Sequence, residues 1–186
     1  DKTLTTIPTN KLVTDTFKNW RGMAYAGVRR IKRSIFIDQS SVHFMTPDEQ
    51  QKLKDFLLLD QYLNSKHDEL ESFNQQLSNQ SLYNQRRLTN LGTFRAYVEF
   101  YLKQHSGIAQ NQSLIIRQLQ PTSEGLPLEI YAFANTTVWK DYEAIQSDIF
   151  DHLIAIVPEF CLRVYQAPSG ADFRQFTARS ADQAEL

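Results

Sequence analysis

Between Leu128 and Ala134 the chain alternates strictly. Leu128, Ile130, Ala132 and Ala134 fall on one face of a period-2 strand. Downstream, Trp139, Tyr142, Ile145, Ile149, Leu153 and Ile156 recur at spacings of three and four, which predicts an amphipathic helix with Trp139 heading its buried stripe. Asn135, Thr136 and Thr137 are its N-cap candidates, and Pro158 ends it. From Val28 to Asp38 the alternation has one apolar and one charged side. Ile31, Ile35 and Ile37 share a face with Arg33 between them, and Arg30, Lys32 and Ser34 share the other.

The remaining elements follow from capping and turn chemistry. Thr46-Pro47-Asp48-Glu49 reads as a capping box with proline at the first helical position. A helical stretch to about Asn79 follows, with Phe56, Leu59, Leu63, Leu70, Phe73 and Leu77 as its stripe, Lys66 interrupting it, and Asn64-Ser65 as the place where it divides. Ser78 to Asn90 reads as a loop. Thr93 caps the next helix, which presents Phe94, Tyr97, Val98, Tyr101 and Leu102 and ends before Gly107. Ser113–Gln120 and Leu128–Ala134 form a hairpin across Pro121–Gly125, and a last strand covers Leu162–Gln166.

This order predicts an α+β fold: a ferredoxin-like βαββαβ domain over residues 28–170, with a helical insertion at 46–79 in the first crossover. Right-handed crossovers place both principal helices on one sheet face. Residues 1–27 read as a separate small element: Thr3–Ile7 is strand-like, Pro8 stops it, Thr9-Asn10 turns, and Gly22 and Gly27 bracket a linker. Residues 171–186 read as a polar tail.

Composition narrows the function classes. A hydrophobic content of 41% in 186 residues suffices for a sizeable core. A net charge of −1 argues against a dedicated nucleic-acid binder. The single cysteine, Cys161, leaves no internal disulfide and fits a reducing compartment. The apolar runs are far shorter than the roughly 20 residues a membrane helix needs. The chain begins at Asp1 without an initiator methionine, so it reads as a piece of a longer protein.

Candidate chemistry is sparse. Asp148, Asp151 and His152 lie close on one helix and could hold a metal, but no third or fourth ligand stands nearby, so a solvated face is the better reading. His43, His67 and His105 are isolated and read as surface or structural residues. Cys161 has no sequence-local histidine and reads as a buried structural thiol. No phosphate loop, nucleophile elbow or paired-cysteine pattern is present. No catalytic residue, cofactor site or metal site is expected, and the chain reads as no enzyme. The one charged cluster is Arg29, Arg30, Lys32 and Arg33, an expected electrostatic lining or subunit-contact surface. An RNA surface is the competing reading of that run, but the basic-Gly-aromatic signature of RNA-binding ferredoxin-like domains is missing.

Several segments, in order, resemble the cytoplasmic domain of MscS-type mechanosensitive channels, in particular the YbdG-like miniconductance branch. Thr6-Ile7-Pro8-Thr9-Asn10 resembles the Ile-Pro-Asn turn at the end of that family's β domain, with Thr9 where Asn is usual. Asn19-Trp20 resembles the pair leading out of it, and Arg29 to Ile35 the first strand of the α/β domain. Thr89 to Tyr97, Ile116 to Leu119, Gly125 to Phe133, and Trp139 with Tyr142 and Glu143 resemble the miniconductance branch, as does the inserted helical region. The resemblance implies a bacterial inner-membrane channel. It would be a homo-heptamer that opens under tension and releases solutes on hypo-osmotic shock. This piece would be its cytoplasmic vestibule, joined to the membrane by segments outside it, with residues 1–27 the remnant of the β domain and no nucleic-acid partner. The alternative is a ferredoxin-like binding or dimerisation module for a small regulator or RNA.

Overall fold

The computed structural model describes residues 6–14, 16, 21–79, 81–168 and 170. Two short helices, α1 (Lys11–Thr14) and α2 (Arg21–Tyr25), precede strand β1 (Arg29–Ile37). Helices α3 (Pro47–Leu53), α4 (Asp60–Gln75) and α5 (Asn90–Gln104) follow, then β2 (Ile115–Gln118), β3 (Leu126–Ala134) and α6 (Trp139–Ile156). The turn expected at Thr9-Asn10 is present, but Gly22 lies inside α2 rather than at the edge of a linker. Most of the strand expected over Thr3–Ile7, the Asn19-Trp20 pair and the tail at 171–186 lie outside the described residues.

The three strands form one antiparallel sheet in the order β1-β3-β2. β1 and β3 pair along their whole length, from Arg29 opposite Ala134 to Ile37 opposite Leu126. The hairpin turn closes with mutual hydrogen bonds between Thr122 and Gly125. Gly125 has a φ of 95°, and a Cβ there would meet the Ile37 carbonyl oxygen at 2.5 Å, so only glycine fits. The expected fourth strand is reduced to one bridge between Ile37 and Val164, flanked by Asp38 N–H to the Arg163 carbonyl and Tyr165 N–H to the Phe36 carbonyl, both 2.8 Å. The approach is cut short on its N-terminal side. The 3-10 turn Val157–Phe160 ends in Cys161, which adopts the left-handed conformation at φ 54°, so the chain turns onto the edge of β1 late.

The apolar side of the sheet carries the core. Ile31, Ile35 and Ile37 of β1 and Leu128, Ile130, Ala132 and Ala134 of β3 join Phe94, Val98 and Leu102 of α5 and Ile149, Phe150 and Leu153 of α6 in one buried cluster. Both principal helices therefore cover the same face, and the other face is left without them. At the centre sits Phe160, fully buried, its ring 5.2 Å from Phe94, 5.3 Å from Tyr97 and 5.5 Å from Phe56. Offset and tilted aromatic contacts of this kind add to the burial itself.

This aromatic cluster explains where the inserted helices divide. The capping box forms as expected: Thr46 accepts from the Glu49 N–H, and Glu49 accepts from the Thr46 N–H. The break comes at Lys54–Phe56 rather than at Asn64-Ser65. Phe56 leaves helical geometry, at φ −85° and ψ 93°, and puts its ring edge-on to Tyr97 at 5.7 Å. Asn64 and Ser65 sit on the exposed side of α4, where they have no reason to interrupt it. The start of α5 also differs from expectation. Thr89 caps it by accepting from the Gly92 N–H, while Thr93 is fully buried and donates back to the Thr89 carbonyl. The cap of α6 is Val138, with no side-chain cap bond; Thr136 Oγ1 instead accepts from the Val138 N–H at 3.1 Å. Asn135 is occupied elsewhere, donating to the Ser106 carbonyl at 2.7 Å.

Trp139 does not head the buried stripe. It is 61% exposed, and the stripe begins at Tyr142. Its position in the first turn of α6 carries it past the end of the sheet. Replacing Phe160 by alanine is accordingly expected to cost about 3–5 kcal/mol of stability, as for large buried aromatics. Trp139→Ala is expected to cost about 1 kcal/mol or less, the range of an exposed cation–π contact. Urea denaturation of the two variants checks this, and a larger loss for Trp139→Ala would contradict the packing described.

Candidate functional site: the basic strand

Strand periodicity divides the basic run of β1 between two faces. Arg29 and Arg33 stand on the helix side with Ile31. Arg29 places its guanidinium carbon 4.3 Å from the centre of the Trp139 ring and 4.8 Å from that of Tyr142. Arg33 lies 4.5 Å over Phe150. These two cations cap the rings of α6 at the edge of the sheet, which is how Trp139 finds a partner without entering the core. The Tyr142 hydroxyl meets the Arg30 carbonyl at 3.1 Å, and burial raises the phenol above its ordinary range.

Arg30 and Lys32 stand on the open face, across from Phe133 and Tyr131 of β3. The Arg30 guanidinium lies 5.9 Å from the Tyr131 ring. On β3, between β1 and β2, sits Glu129, only 4% exposed although neither α5 nor α6 covers this side. Arg117 of β2 grips it: Nε donates to Oε1 at 2.8 Å, Nη2 stands in ion-pair contact with the same oxygen at 2.7 Å, and Lys32 Nζ lies 3.7 Å from Oε2. A buried carboxylate is held favourably only when it is both paired and hydrogen-bonded, and here Arg117 serves one oxygen and Lys32 the other. Phe36, Tyr131, Phe133 and Ile115 complete the surface. Two cations, Lys32 and Arg117, contact the one carboxylate, and Arg30 lies further along the same face, so the face is aromatic and net basic.

The structure thus brings Arg30 and Lys32 together with two residues that sequence reasoning missed, Arg117 and Glu129, and sends Arg29 and Arg33 elsewhere. The signal for Glu129 was present. If Leu128, Ile130 and Ala132 face the core, Pro127, Glu129, Tyr131 and Phe133 must line the other side. Arg117 became visible only with the β2–β3 register, which sets it opposite Glu129.

The histidine and cysteine candidates fall in two other places. Asp148 and His152 do not converge. His105 Nε2 lies 3.3 Å from Asp148 Oδ2, whereas His152 Nε2 meets the Tyr97 hydroxyl at 2.7 Å and its ring stacks on Tyr101 at 4.4 Å. Asp151 is exposed, and among the described residues no three metal-ligating side chains gather. His43, by contrast, is drawn into a network. Its Nε2 lies 2.9 Å from Glu49 Oε1, its Nδ1 lies 2.9 Å from the Ser41 carbonyl and 3.0 Å from Asn90 Nδ2, and Cys161 adjoins Glu49. Cys161 is exposed, not buried as expected, because it occupies the left-handed turn position. Partial desolvation and the Glu49 carboxylate raise its thiol above the usual range, which does not favour a nucleophilic thiolate.

Sequence comparison relates the chain to mechanosensitive channels of the MscS type. A stretch of 67 residues, 36% of this chain, is 34% identical to the low conductance mechanosensitive channel YnaI of Escherichia coli (strain K12). The chain spans about a fifth of the length of that relative. No family model matches the chain. Among the described residues no helix is long and apolar enough to cross a membrane.

The Glu49 environment makes a prediction about acid stability. The Thr46 backbone N–H, then His43, hold its carboxyl down to about 2. A depressed carboxylate contributes stability that is present above its unfolded value, near 4.5, and is lost as pH falls toward about 2. Glu49→Gln should therefore flatten the fall of the urea midpoint across that window. A slope identical to wild type would contradict the assignment.

Proposed function

We propose that this chain is a vestibule domain of a bacterial mechanosensitive channel, built on a ferredoxin-like plan, and is not an enzyme. The observation that carries the reading is the likeness to YnaI, a low conductance mechanosensitive channel, over 67 residues. The topology supports the plan: antiparallel strands in the order β1-β3-β2, the Val164 bridge on the outer edge of β1, and both principal helices on one side. In this reading residues 28–170 form the α/β body, 46–79 its helical insertion, and 1–27 the end of a preceding β domain. The parent channel is a ring of seven copies in the inner membrane that releases solutes on hypo-osmotic shock, with this domain on the cytoplasmic side.

The basic run then has a physical task. Arg30, Lys32 and Arg117 on the open sheet face bias which ions approach the pore, or mate with a neighbouring copy. Arg29 and Arg33 serve mainly to fasten α6 to the strand. One observation favours a second reading. Phe36, Tyr131 and Phe133 beside those cations form the kind of stacking platform that single-stranded RNA uses on ferredoxin-like sheets.

The test reverses charge on the open face of the full-length channel, with Arg30→Glu, Lys32→Glu and Arg117→Glu combined. Patch-clamp recording should show the anion-to-cation permeability ratio falling if the face lines the vestibule. If it is a subunit contact, the assembly should instead lose copies on size-exclusion chromatography. Unchanged permeability in an unchanged oligomer would overturn both assignments, and RNA retained by wild type at physiological salt but lost by the variant would favour the second reading.

A further inference from the structure

The network around His43 has two self-consistent hydrogen-bond states, and they differ in what they hold. Asn90 is fully buried at the start of α5. Its Oδ1 accepts from the His43 N–H at 3.0 Å and the Leu91 N–H at 2.8 Å. Its Nδ2 has two protons but three neighbours: the Ser41 carbonyl at 2.8 Å, His43 Nδ1 at 3.0 Å and the Cys161 carbonyl at 3.4 Å. Which neighbour goes without depends on the imidazole.

The ionised Glu49 at Nε2 fixes the choice. An acceptor at 2.9 Å requires Nε2 to carry a proton in either charge state. When His43 is charged, Nδ1 also carries a proton and donates to the Ser41 carbonyl; its 3.0 Å contact with Asn90 Nδ2 is then donor against donor, which turns both Asn90 protons to Ser41 and Cys161. When His43 is neutral, Nδ1 is an acceptor. It repels the Ser41 carbonyl at 2.9 Å and draws the second Asn90 proton away from Cys161.

Cys161 leads directly into the segment that forms the outer edge of the sheet. Its neighbours are held by Arg163 N–H to Ser41 Oγ at 3.1 Å, by the Arg163–Asp38 ion pair at 3.1 Å and by the Val164 bridge. We propose that His43 is a proton-operated latch: charged, it leaves Asn90 free to hold the Cys161 carbonyl and so dock residues 161–165 on β1, and neutral, it captures the Asn90 amide and loosens that edge.

The other ionisable groups around the latch are Lys52, which shares α3 with Glu49, Cys161 and Glu159 after α6, and the Asp38–Arg163 pair. The Ser41 carbonyl and the Glu49 carboxylate raise the His43 pKa above its ordinary value. The sign is that of a raised base. The docked state is complete below about 6.5 and is lost as pH rises through the higher folded value.

Nuclear magnetic resonance across that pH range tests the latch. Long-range nitrogen–proton correlations read which ring nitrogen of His43 is protonated. The Asn90 side-chain amide, the Cys161 carbonyl carbon and the exchange of the Tyr165 amide read the rest. All three should follow the His43 midpoint, with Tyr165 exchange, corrected for its intrinsic pH dependence, rising about fivefold on the alkaline side, the effect of losing one ordinary hydrogen bond. His43→Gln should abolish the pH dependence of that exchange. A neutral His43 that keeps its proton on Nδ1, or Asn90 and Cys161 signals that stay flat while His43 titrates, would overturn the proposal. Those wild-type readings decide it even if the variant does not fold.

Discussion

The pairing of β1 with β3 is the constraint on which the rest of the molecule depends. It joins two segments about a hundred residues apart, and its nine-residue length leaves little freedom in register. With Ile35 opposite Leu128 and Ile31 opposite Ala132, the apolar positions of both strands face α5 and α6 together. A slip of β1 by one residue against β3 would carry Ile31 and Ile35 to the open face and turn Arg30 and Lys32 under the helices. The same register decides the fate of the basic run. It leaves Arg29 and Arg33 to cover aromatic rings on α6, and it sets Lys32 beside the carboxylate that Arg117 holds and Arg30 beside Tyr131.

Two polar and aromatic fastenings tie the inserted helices to this sheet. Phe160 gathers Phe56, Phe94 and Tyr97, so the insertion, α5 and the end of α6 share one ring cluster. Asn90 joins the loop after β1, the start of α5 and the turn after α6 through its buried amide. A buried amide is costly to leave without partners, so the loops that Asn90 touches are tied to it in whichever of its hydrogen-bond states is populated. The insertion can thus be long and mostly exposed on α4 without loosening the sheet.

Much of this was legible in the sequence, for reasons that can be traced to particular residues. The alternation at Val28–Asp38 and Leu128–Ala134 and the capping box at Thr46 are local signals, and local physics satisfied them. The misplacements arose where tertiary contacts outweighed local preference. Phe56 broke the inserted helix because its ring belongs with Tyr97 and Phe160. Thr89 displaced Thr93 as the cap because Thr93 is needed in the core. Trp139 fits the helical period, yet it lies beyond the sheet and packs under Arg29. The candidate site was half visible. The cations could be read directly, but Arg117, Glu129 and the meeting of His43 with Asn90 depend on register and loop closure, which no local pattern encodes.

The account stands or falls on that register, and cross-strand Hα–Hα and amide contacts measured by nuclear magnetic resonance test it most directly. The structure requires contacts that set Lys32 opposite Tyr131, Ser34 opposite Glu129 and Arg117 opposite Glu129. Contacts shifted by one residue between β1 and β3 would place Arg30 and Lys32 on the helix side, and the division of the basic run between a fastening face and an open face would be wrong.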